Sequence, residues 1–383
     1  MNLELSEEQE AVRELAEDFV AREITPHVVA WDRAESVDRS IVKKLGALGF
    51  LGLTIPEEYG GSGGDHLAYC LVTEELGRGD SSVRGIVSVS LGLVAKTVAS
   101  WGSEEQKRRW LPRLTSGEAL GCFGLTEPGT GSDAGSLSTT AVRDGDDYVI
   151  NGSKMFITNG TWADVVLLFA RTGDAPGHRG VSAFLVPADA PGLTRRTVHG
   201  KLGLRGQATA ELVLEDVRVP ATALMGPEGK GFSIAMSALD KGRMSVAAGC
   251  VGIAQAALDA AVRYAGEREQ FGKSIASYQL VQELISDISV DVDAARMLTW
   301  RVADLVDRGQ DFATAASTAK LFASEAAVRA ANNALQVFGG YGYIDEYPVG
   351  KLVRDARVMT LYEGTSQIQK LIIGRALTGV SAF

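Results

Sequence analysis

The sequence predicts an α+β fold made of three consecutive regions: a helical region, a small antiparallel β region and a bundle of long helices. Apolar residues recur at helical spacing through residues 1–120. Short β-rich runs separated by glycines and Asn-Gly pairs occupy residues 121–232. Long alanine-rich segments with few helix breakers fill residues 233–383, and such lengths are typical of antiparallel bundles. We take these three ranges as the predicted domains.

The first region is predicted to begin with a capped helix. Ser6 stands three residues before Gln9, which is the spacing of a capping box, and apolar residues follow at helical spacing. A glycine-rich loop is predicted over residues 56–65, and helical patterning resumes in residues 67–76 and 87–101. One face of the first helix is therefore expected to be buried.

The β region contains the run "DYVINGSKMFITNG", with Asn-Gly pairs at Asn151–Gly152 and Asn159–Gly160. Asn-Gly tolerates the positive φ angles of tight hairpin turns, so we expect short strands that end at these two pairs. The runs "VVLLFAR", "VSAFLVP" and "AELVLEDVRVP" continue the strand pattern. In the third region, long helices are predicted over residues 237–266, 278–308 and 312–338.

Composition argues against several classes of protein. The net charge of −10 and the pI near 5.1 are unlike those of a nucleic-acid binder. The three cysteines are far apart and the four histidines lack ligand spacing, so neither a disulfide framework nor a metal site is expected. The acidic, amphipathic start is unlike a signal peptide, and no apolar run looks long enough to span a bilayer. We therefore expect a cytoplasmic protein without a membrane span.

Residues 122–136, "CFGLTEPGTGSDAGS", form a glycine-rich stretch after a strand-like run. Its glycines let a ligand approach the backbone, and the hydroxyl groups of Thr126, Thr130 and Ser132 can donate to phosphate or carbonyl oxygens. The spacing matches neither the G-x-G-x-x-G dinucleotide fingerprint nor a Walker A loop. A plain connector between two domains explains these glycines equally well.

Other stretches carry weaker signals, and each has an ordinary structural explanation. In "KMFITNG", Phe156 offers a flat apolar face and Thr158 a hydroxyl on the same side of a strand, but a core-facing alternation looks the same. Arg268 in "EREQFGK" suits a pyrophosphate or simply a charged helix end. The glycines of "QVFGGYGY" allow close approach or merely stop a helix. Asp240 and Arg243 share a helix face, either as a surface ion pair or as a grip on adenine and phosphate.

Near the C-terminus, "TLYEGTSQIQ" places Glu363 between an aromatic residue and a glycine. Taken alone, Glu363 is either a solvated turn residue or a base.

Together these stretches resemble the acyl-CoA dehydrogenase family over essentially the whole chain. "TEPGTGSD", "FITNG", "EREQFGK", "QVFGG" and "YEGTSQ" occur in that family's order and approximate spacing. The resemblance implies an acyl-CoA dehydrogenase-like fold with an N-terminal helical domain, a middle β domain and a C-terminal four-helix bundle. It also implies FAD as cofactor, an electron-transfer flavoprotein as acceptor, a role in fatty acid metabolism, and a homo-oligomer, most often a tetramer.

The family's site residues carry over position by position. Those resembling the loop at the flavin edge are Phe123, Leu125, Thr126, Gly131 and Ser132. Phe156, Ile157 and Thr158 resemble the residues that contact the flavin ring, with Thr158 near N5. Those resembling contacts to the FAD of a neighbouring subunit are Arg268, Gln270, Phe271, Gln279, Gln336, Val337, Gly339 and Gly340. Thr365 and Gln367 resemble FAD contacts near the base, and the residues resembling acyl-CoA contacts are Ser132, Asp240, Arg243, Tyr362 and Gly364.

The chemistry of the family requires a base at the α-carbon of a thioester while hydride leaves the β-carbon for flavin N5. The α-proton is only weakly acidic, so the base must be close, desolvated and raised in pKa. Glu363 meets this need, and Gly364 leaves room for the thioester. By resemblance, the enolate oxygen is bound by the backbone N–H of Glu363 and the FAD ribityl 2′-hydroxyl. One branch of the family carries its base at the position of Gly242, where a glycine cannot serve.

A second detail concerns the substrate. "SSVRGIVSVS" places Arg84 ahead of an apolar helix and resembles the stretch of glutaryl-CoA dehydrogenase in which an arginine meets a distal carboxylate. The hypothesis is therefore a short-chain-like enzyme whose substrate has a polar or acidic end. The alternative is a helix-start arginine that faces solvent or another subunit.

Rival functions share much of this pattern. An acyl-CoA oxidase would pass electrons to oxygen, and a dehydrogenase of acyl-carrier-protein thioesters would keep Glu363 without needing a grip on CoA adenine. Flavin monooxygenases of this fold generally lack the catalytic carboxylate. A non-enzymatic helical scaffold explains the composition equally well, but it predicts a colourless protein where an FAD enzyme is yellow.

Overall fold

The computed structural model describes residues 4–173, 175 and 177–382, so residues 1–3 and 383 of the predicted terminal regions lie outside it. The predicted order of helices, sheet and helices is confirmed. The first region contains the helices α1 (Glu7–Phe19), α2 (Val28–Ala34), α3 (Ile41–Ala47), α4 (His66–Gly79), α5 (Ser81–Val87), α6 (Lys96–Trp101) and α7 (Glu104–Thr115).

The predicted capping box at the start of α1 is confirmed. The Ser6 hydroxyl accepts from the Gln9 backbone N–H at 3.2 Å, and the Gln9 side chain accepts from the Ser6 N–H at 2.9 Å. These bonds satisfy two N–H groups that a helix end otherwise leaves free.

The helix formed by α5 and α6 runs through the interior. A π-helical segment, Ser88–Ala95, joins the two into one continuous helix from Ser81 to Trp101. Every residue from 81 to 98 is buried, so polar side chains on this helix are enclosed with the apolar ones. The helix therefore carries its arginine, Arg84, into the core.

The middle region is one eight-stranded sheet in the order β6-β7-β3-β2-β4-β5-β8, with β1 beside β4. Most pairs are antiparallel as predicted, but β1 and β2 both run parallel to β4, so the expectation of a purely antiparallel sheet is wrong at these two pairs. The strands are β1 (Gly121–Gly124), β2 (Thr140–Asp144), β3 (Asp147–Thr158), β4 (Val165–Arg171), β5 (Val181–Pro187), β6 (Leu193–Thr197), β7 (Thr209–Pro220) and β8 (Leu224–Met225).

Only one of the two predicted Asn-Gly turns exists. Asn151 and Gly152 lie inside the twelve-residue strand β3, where the pairing with β7 is irregular between Ile150 and Gly152. The prediction of a turn there is wrong because pairing on both sides of β3 overrides the local preference. Asn159 does adopt a left-handed φ of 64° in a turn, but that turn leads to β4, which does not pair with β3, so it is no hairpin.

The three predicted long helices of the last region are confirmed. They are joined or followed by a two-stranded hairpin and two shorter helices, and α8 packs against α9, α10 and α4. The interior is therefore shared between the two helical regions. The elements are α8 (Gly231–Glu267), β9 (Glu269–Gln270), β10 (Lys273–Ser274), α9 (Gln279–Asp307), α10 (Ala313–Phe338), α11 (Val349–Met359) and α12 (Ser366–Thr378).

Two helices, Ser81–Trp101 and Gly231–Glu267, are long and apolar enough to cross a membrane by length and composition alone. The expectation that no apolar run reaches this length is therefore wrong. Their most apolar windows are 94% and 72% buried inside the fold, which is typical of core helices.

Candidate active site

Glu363 lies in the turn that joins α11 to α12. Its φ is 51°, and that of Gly364 is 92°, so two consecutive residues have left-handed backbone conformations. Glycine adopts this conformation freely, whereas glutamate does so only where the surroundings enforce it. Thr365 then starts α12, because its hydroxyl accepts from the Ile368 N–H at 3.2 Å. The backbone of Glu363 is thus held in an unusual conformation that no local rule favours.

The carboxylate of Glu363 is directed against α8. Its Oε2 atom is buried and has no hydrogen-bond partner among the residues that the structure describes. A Cβ atom added to Gly242 would lie 2.2 Å from this oxygen and 2.7 Å from Leu93 Cδ2. Gly242 therefore leaves the space that the carboxylate occupies, and the alternative of a solvated turn glutamate is wrong.

Burial raises the pKa of Glu363 to about 7, although three cations, Arg84, Lys320 and Arg243, act in the opposite direction. Desolvation destabilises the charged form of a carboxyl, and nearby positive charges stabilise it. A carboxyl with a pKa near neutrality is suited to take up a proton from a weak carbon acid.

Arg84 is buried, with 1% of its surface exposed, so the alternative of an arginine facing solvent is wrong. Its guanidinium donates to the Tyr362 hydroxyl at 2.5 Å and to Ser88 Oγ at 3.1 Å. Ser88 in turn contacts Ser245 Oγ at 2.7 Å, and the Tyr69 hydroxyl donates to Ser245 at 3.0 Å. Among the described residues, no carboxylate forms an ion pair with Arg84; its hydrogen bonds go to neutral groups, while its charge acts on the Glu363 carboxyl without direct contact.

The helix pair Asp240 and Arg243 is present as an ion pair at 2.5 Å. It is not the surface pair that the sequence allowed, because Arg243 is only 5% exposed. Burial lowers the pKa of Arg243, and its charge also acts on Glu363. Arg243 therefore belongs to the surroundings of the carboxylate as well as to its helix.

The glycine-rich loop is fixed by a buried ion pair that sequence reasoning missed. Lys154 Nζ lies 2.8 Å from Glu127 Oε1, and both side chains are almost fully buried. Glu127 also accepts from the backbone N–H groups of Ser138 and Thr139 at 2.7 and 2.9 Å. Burial alone would raise the pKa of Glu127, but Lys154 and these hydrogen bonds lower it to about 2. Glu127 thus ties the loop to Lys154 on β3 and to the residues that follow the loop.

The loop presents open space where a ligand can approach. A Cβ atom added to Gly129 or Gly131 would meet nothing within 4 Å. The hydroxyl of Thr130 is used within the loop, donating to the Asp133 carbonyl at 2.6 Å, so it is not the free donor that the sequence suggested. Leu125 is buried, while Ser132 is exposed.

Phe156 lies at a bulge in β3. Its φ is 61°, the pairing with β7 shifts between Lys154 and Ile157, and 64% of its surface is exposed. The strict alternation expected for Phe156 and Thr158 therefore fails at this point. Ile157 is buried, and the Thr158 hydroxyl lies 3.4 Å from Gln207 Oε1. The Phe156 ring is exposed on a bulged strand, so it does not pack in the core. Its position is suited to contact a planar heterocycle.

A second candidate surface lies at the far end of α8. A cleft of about 550 Å³ is lined by ten residues of the C-terminal region: Tyr264, Arg268, Gln270, Ile275, Val337, Phe338, Gly339, Gly340, Tyr341 and Ile344. The Arg268 guanidinium lies over the Tyr341 ring at 5.5 Å. Five residues predicted from the resemblance thus meet in one cleft. Three others, Phe271, Gln279 and Gln336, are exposed and do not line it. Gln367 is exposed on α12.

Both surfaces fit a flavin dinucleotide in chemical character. The loop and Phe156 offer an apolar ring face with open space, and the cleft offers a planar cation for a pyrophosphate. None of the cleft residues belongs to the β region. The two surfaces are therefore separate in one chain. Among the described residues, no group of three His, Cys, Asp or Glu side chains could hold a metal ion.

Comparisons with known proteins cover nearly the whole chain. Three models match it in order: the acyl-CoA dehydrogenase N-terminal domain over residues 6–118, the middle domain over 122–217 and the C-terminal domain over 229–378. A probable acyl-CoA dehydrogenase of Bacillus subtilis is 49% identical over 98% of this chain and 100% of its own. The human mitochondrial short-chain specific acyl-CoA dehydrogenase is 44% identical over 97% of this chain and 90% of its own.

Solved structures give the same result. Butyryl-CoA dehydrogenase from Megasphaera elsdenii superposes with a TM-score of 0.96 at 41% identity, over 98% of this chain and 100% of that one. A glutaryl-CoA dehydrogenase from Mycobacterium smegmatis in complex with FADH2 gives 0.95 at 37% identity, over 99% and 96%. A chain from the structure of the electron transferring flavoprotein of Acidaminococcus fermentans gives 0.97 at 42% identity, over 99% and 100%.

Proposed function

Since this chain belongs to the acyl-CoA dehydrogenase family, we propose that Glu363 is the base with which it desaturates an acyl-CoA thioester. The protein is a flavin-dependent oxidoreductase that acts on the α,β carbon–carbon bond of such thioesters. The observation that carries the role of Glu363 is its Oε2 atom, which is buried beside Gly242 without a hydrogen-bond partner among the described residues, together with a pKa that burial raises to about 7. At neutral pH, about half of such carboxyls are ionised and ready to take the α-proton.

The cofactor that we propose is FAD. The flavin supplies an acceptor for the hydride that leaves the β-carbon. Phe156, Thr158 and the loop over residues 123–132 would hold the ring, because they combine an exposed aromatic face with open backbone and hydroxyl groups. Arg268 would bind the pyrophosphate with its planar fork.

We propose a homo-oligomer, in the family most often a tetramer, and the separation of these two surfaces supports this proposal. The cleft around Arg268 contains no residue of the β region, so one chain does not gather both halves of a dinucleotide site. A second copy would supply its cleft to the flavin on the first chain. Exposed apolar side chains near the cleft are consistent with such a contact, since Phe271 is 94% and Tyr343 is 88% exposed.

The substrate that we propose is a short acyl-CoA with a polar or acidic end. Arg84 is a buried cation with no ion-pair partner among the described residues, and an uncompensated buried charge is costly. A carboxylate at the distal end of the acyl chain would neutralise it. Ser88 and Ser245 continue a chain of buried hydrogen bonds from Arg84. The other predicted acyl-CoA contacts stay predictions: Ser132, Asp240, Arg243, Tyr362 and Gly364.

We propose an electron-transfer flavoprotein as the acceptor and the cytoplasm as the location. Buried, unpaired cysteines support a reducing compartment. The yield of peroxide in air distinguishes an acyl-CoA oxidase from the proposed dehydrogenase. Comparing CoA thioesters with carrier-protein thioesters of the same acyl group tests the carrier-protein alternative.

The test is anaerobic titration of the purified protein with pairs of monocarboxylic and dicarboxylic acyl-CoA thioesters of matched chain length. Thioesters that are substrates are expected to bleach the flavin band. Dicarboxylic thioesters should do so at lower concentrations than the matched monocarboxylic ones. In Arg84→Met, we expect the dicarboxylic thioester to lose about 10- to 100-fold more in kcat/KM than the monocarboxylic one, as for a lost charged hydrogen bond. Both thioesters also lose the effect of Arg84 on the Glu363 carboxyl, so a smaller loss common to both is expected. Equal losses for both would overturn the acidic substrate, and no bleaching by any thioester would overturn the function.

A further inference from the structure

Lys320 on α10 is a buried lysine that family resemblance and sequence reasoning both left without a role. None of its surface is exposed, and its ammonium donates a hydrogen bond to the Gly364 carbonyl at 2.8 Å. Among the described residues, no carboxylate lies within ion-pair distance of this ammonium. Fully buried lysines are rare, because removing the charge from water is costly. The position of Lys320 beside the turn therefore calls for a functional explanation.

Gln369 holds the same turn from the other side. Its side-chain amide donates to the Glu363 carbonyl at 3.1 Å and to the Gly364 carbonyl at 3.0 Å, and the side chain is fully buried. Two buried side chains thus bind the carbonyl groups of two consecutive left-handed residues. We call Lys320 and Gln369 the turn clamp. The clamp supplies the external support that a left-handed glutamate needs.

The clamp and the carboxylate face a defined set of charged and titratable groups. Arg84 acts on Glu363 from α5, Arg243 from α8 and Lys320 from α10. Phenol groups of Tyr69 and Tyr362 also face it. The groups that face Lys320 are Glu363, Arg243, Glu325 and the Cys250 thiol. Of the three cations, Lys320 is the one that also hydrogen-bonds the backbone of the turn.

We propose that Lys320 is a positioning residue for the base, fixing the turn through the Gly364 carbonyl while its charge stabilises the ionised form of the Glu363 carboxylate. Gln369 also fixes the turn, but it does not stabilise the ionised carboxylate, because it is neutral. The proposal rests on the role proposed for Glu363. It predicts that geometry and charge can be separated by substitution, since both clamp residues hydrogen-bond the turn but only Lys320 carries a charge.

The experiment compares Lys320→Met, Lys320→Gln and Gln369→Met with a control, Ser317→Ala. Ser317 is equally buried on α10, and its hydroxyl has no partner among the described residues. We expect Lys320→Met to lower kcat about 10-fold or more with little change in KM. In the pH profile of kcat/KM, the midpoint on the acidic side, called the acid limb, should move upward by about one pH unit. Lys320→Gln should show the same shift with a smaller loss of kcat. Gln369→Met should lower kcat without moving the limb, and the control should match wild type.

Hydrogen exchange supplies a readout that does not depend on turnover. Exchange of peptides spanning residues 362–369 is expected to rise about tenfold in Lys320→Met and in Gln369→Met, but not in the control. If wild type desaturates thioesters while the acid limb stays unmoved in both Lys320 variants, the inference is overturned and the proposed function stands. If wild type desaturates none, the proposed function fails. Should Lys320→Met not fold, the shift in Lys320→Gln decides between the same outcomes.

Discussion

The turn around Glu363 and the cleft around Arg268 are built in opposite ways. The turn lies beside charged side chains of α5, α8 and α10 of its own chain, and Oε2 of its functional carboxylate is buried without a hydrogen-bond partner among the described residues. The cleft is open and lined by one region only, with Gln270, Gly339 and Gly340 exposed. This difference agrees with the proposal that one chain completes the acid–base part of the site by itself, whereas a second copy supplies the cleft to the cofactor. Substitutions in the two regions should therefore have different consequences.

The largest effect is expected from Glu363→Gln. The amide keeps the shape of the side chain but cannot accept the α-proton, so we expect desaturation to fall by about 10³-fold. Flavin content and oligomeric state should stay as in wild type, because the turn contributes no residue to the cleft. Steady-state turnover with a reducing thioester measures the loss, and wild-type turnover in this variant would remove Glu363 from the mechanism.

A large effect is also expected from Gly242→Ala. The added methyl group would lie 2.2 Å from Glu363 Oε2, so the carboxylate must move away from its present position. We expect kcat to fall by about 10- to 100-fold, since small displacements of reacting groups have effects of this order. Gly266→Ala on the same helix is the matched control, because a Cβ atom there meets nothing within 4 Å. Equal activity of the two variants would contradict the close packing of the carboxylate against α8.

Arg268→Ala probes the open region and should leave the chemistry intact. We expect FAD to dissociate about 10- to 100-fold more readily, because the charged contact to the pyrophosphate that we propose for Arg268 would be lost. With saturating FAD, kcat should return to within about twofold of wild type. Flavin fluorescence on dilution measures the release, and Arg308→Ala, an exposed arginine on another helix end, serves as control. A loss of kcat that excess FAD does not restore would contradict the separation of the two regions.

The smallest effect concerns stability. The pKa of Glu363 is raised from 4.5 to about 7 in the folded chain, so between these values the folded state binds a proton that the unfolded state has lost. Stability from this group is therefore present below about pH 4.5 and is lost as pH rises through 7. Glu363→Gln lacks this loss and should be more stable than wild type by about 1–3 kcal/mol at pH 8. Thermal unfolding at pH 5 and pH 8 checks whether the difference grows with pH.

Local rules predicted the parts of the molecule that depend on local sequence. The capping box at Ser6 and the lengths of α8, α9 and α10 follow from spacing and from the absence of helix breakers. Asn151–Gly152 was mispredicted because strand pairing on both sides of β3 decides its conformation. The exposed position of Phe156 likewise depends on a bulge against β7.

The parts of the site that escaped prediction are contacts between distant positions. Lys154 and Glu127 are 27 residues apart, and Lys320 and Gly364 are 44 apart, so no short motif joins them. The sequence left open whether Arg84 faces the substrate or solvent, because the helix that carries it is buried throughout residues 81–98 and shows no polar face. Glu363 itself was predicted, since the motif around it is short and its chemistry is specific.

The most direct test of the central claim is the pH dependence of flavin reduction in a single anaerobic turnover of the wild-type protein. If Glu363 is the base, the rate should rise with pH through a midpoint near 7, which is the pKa of its buried carboxyl. A rate that is flat between about pH 5.5 and 8.5, or a midpoint at the ordinary carboxyl value near 4.5, would contradict the role of this carboxylate.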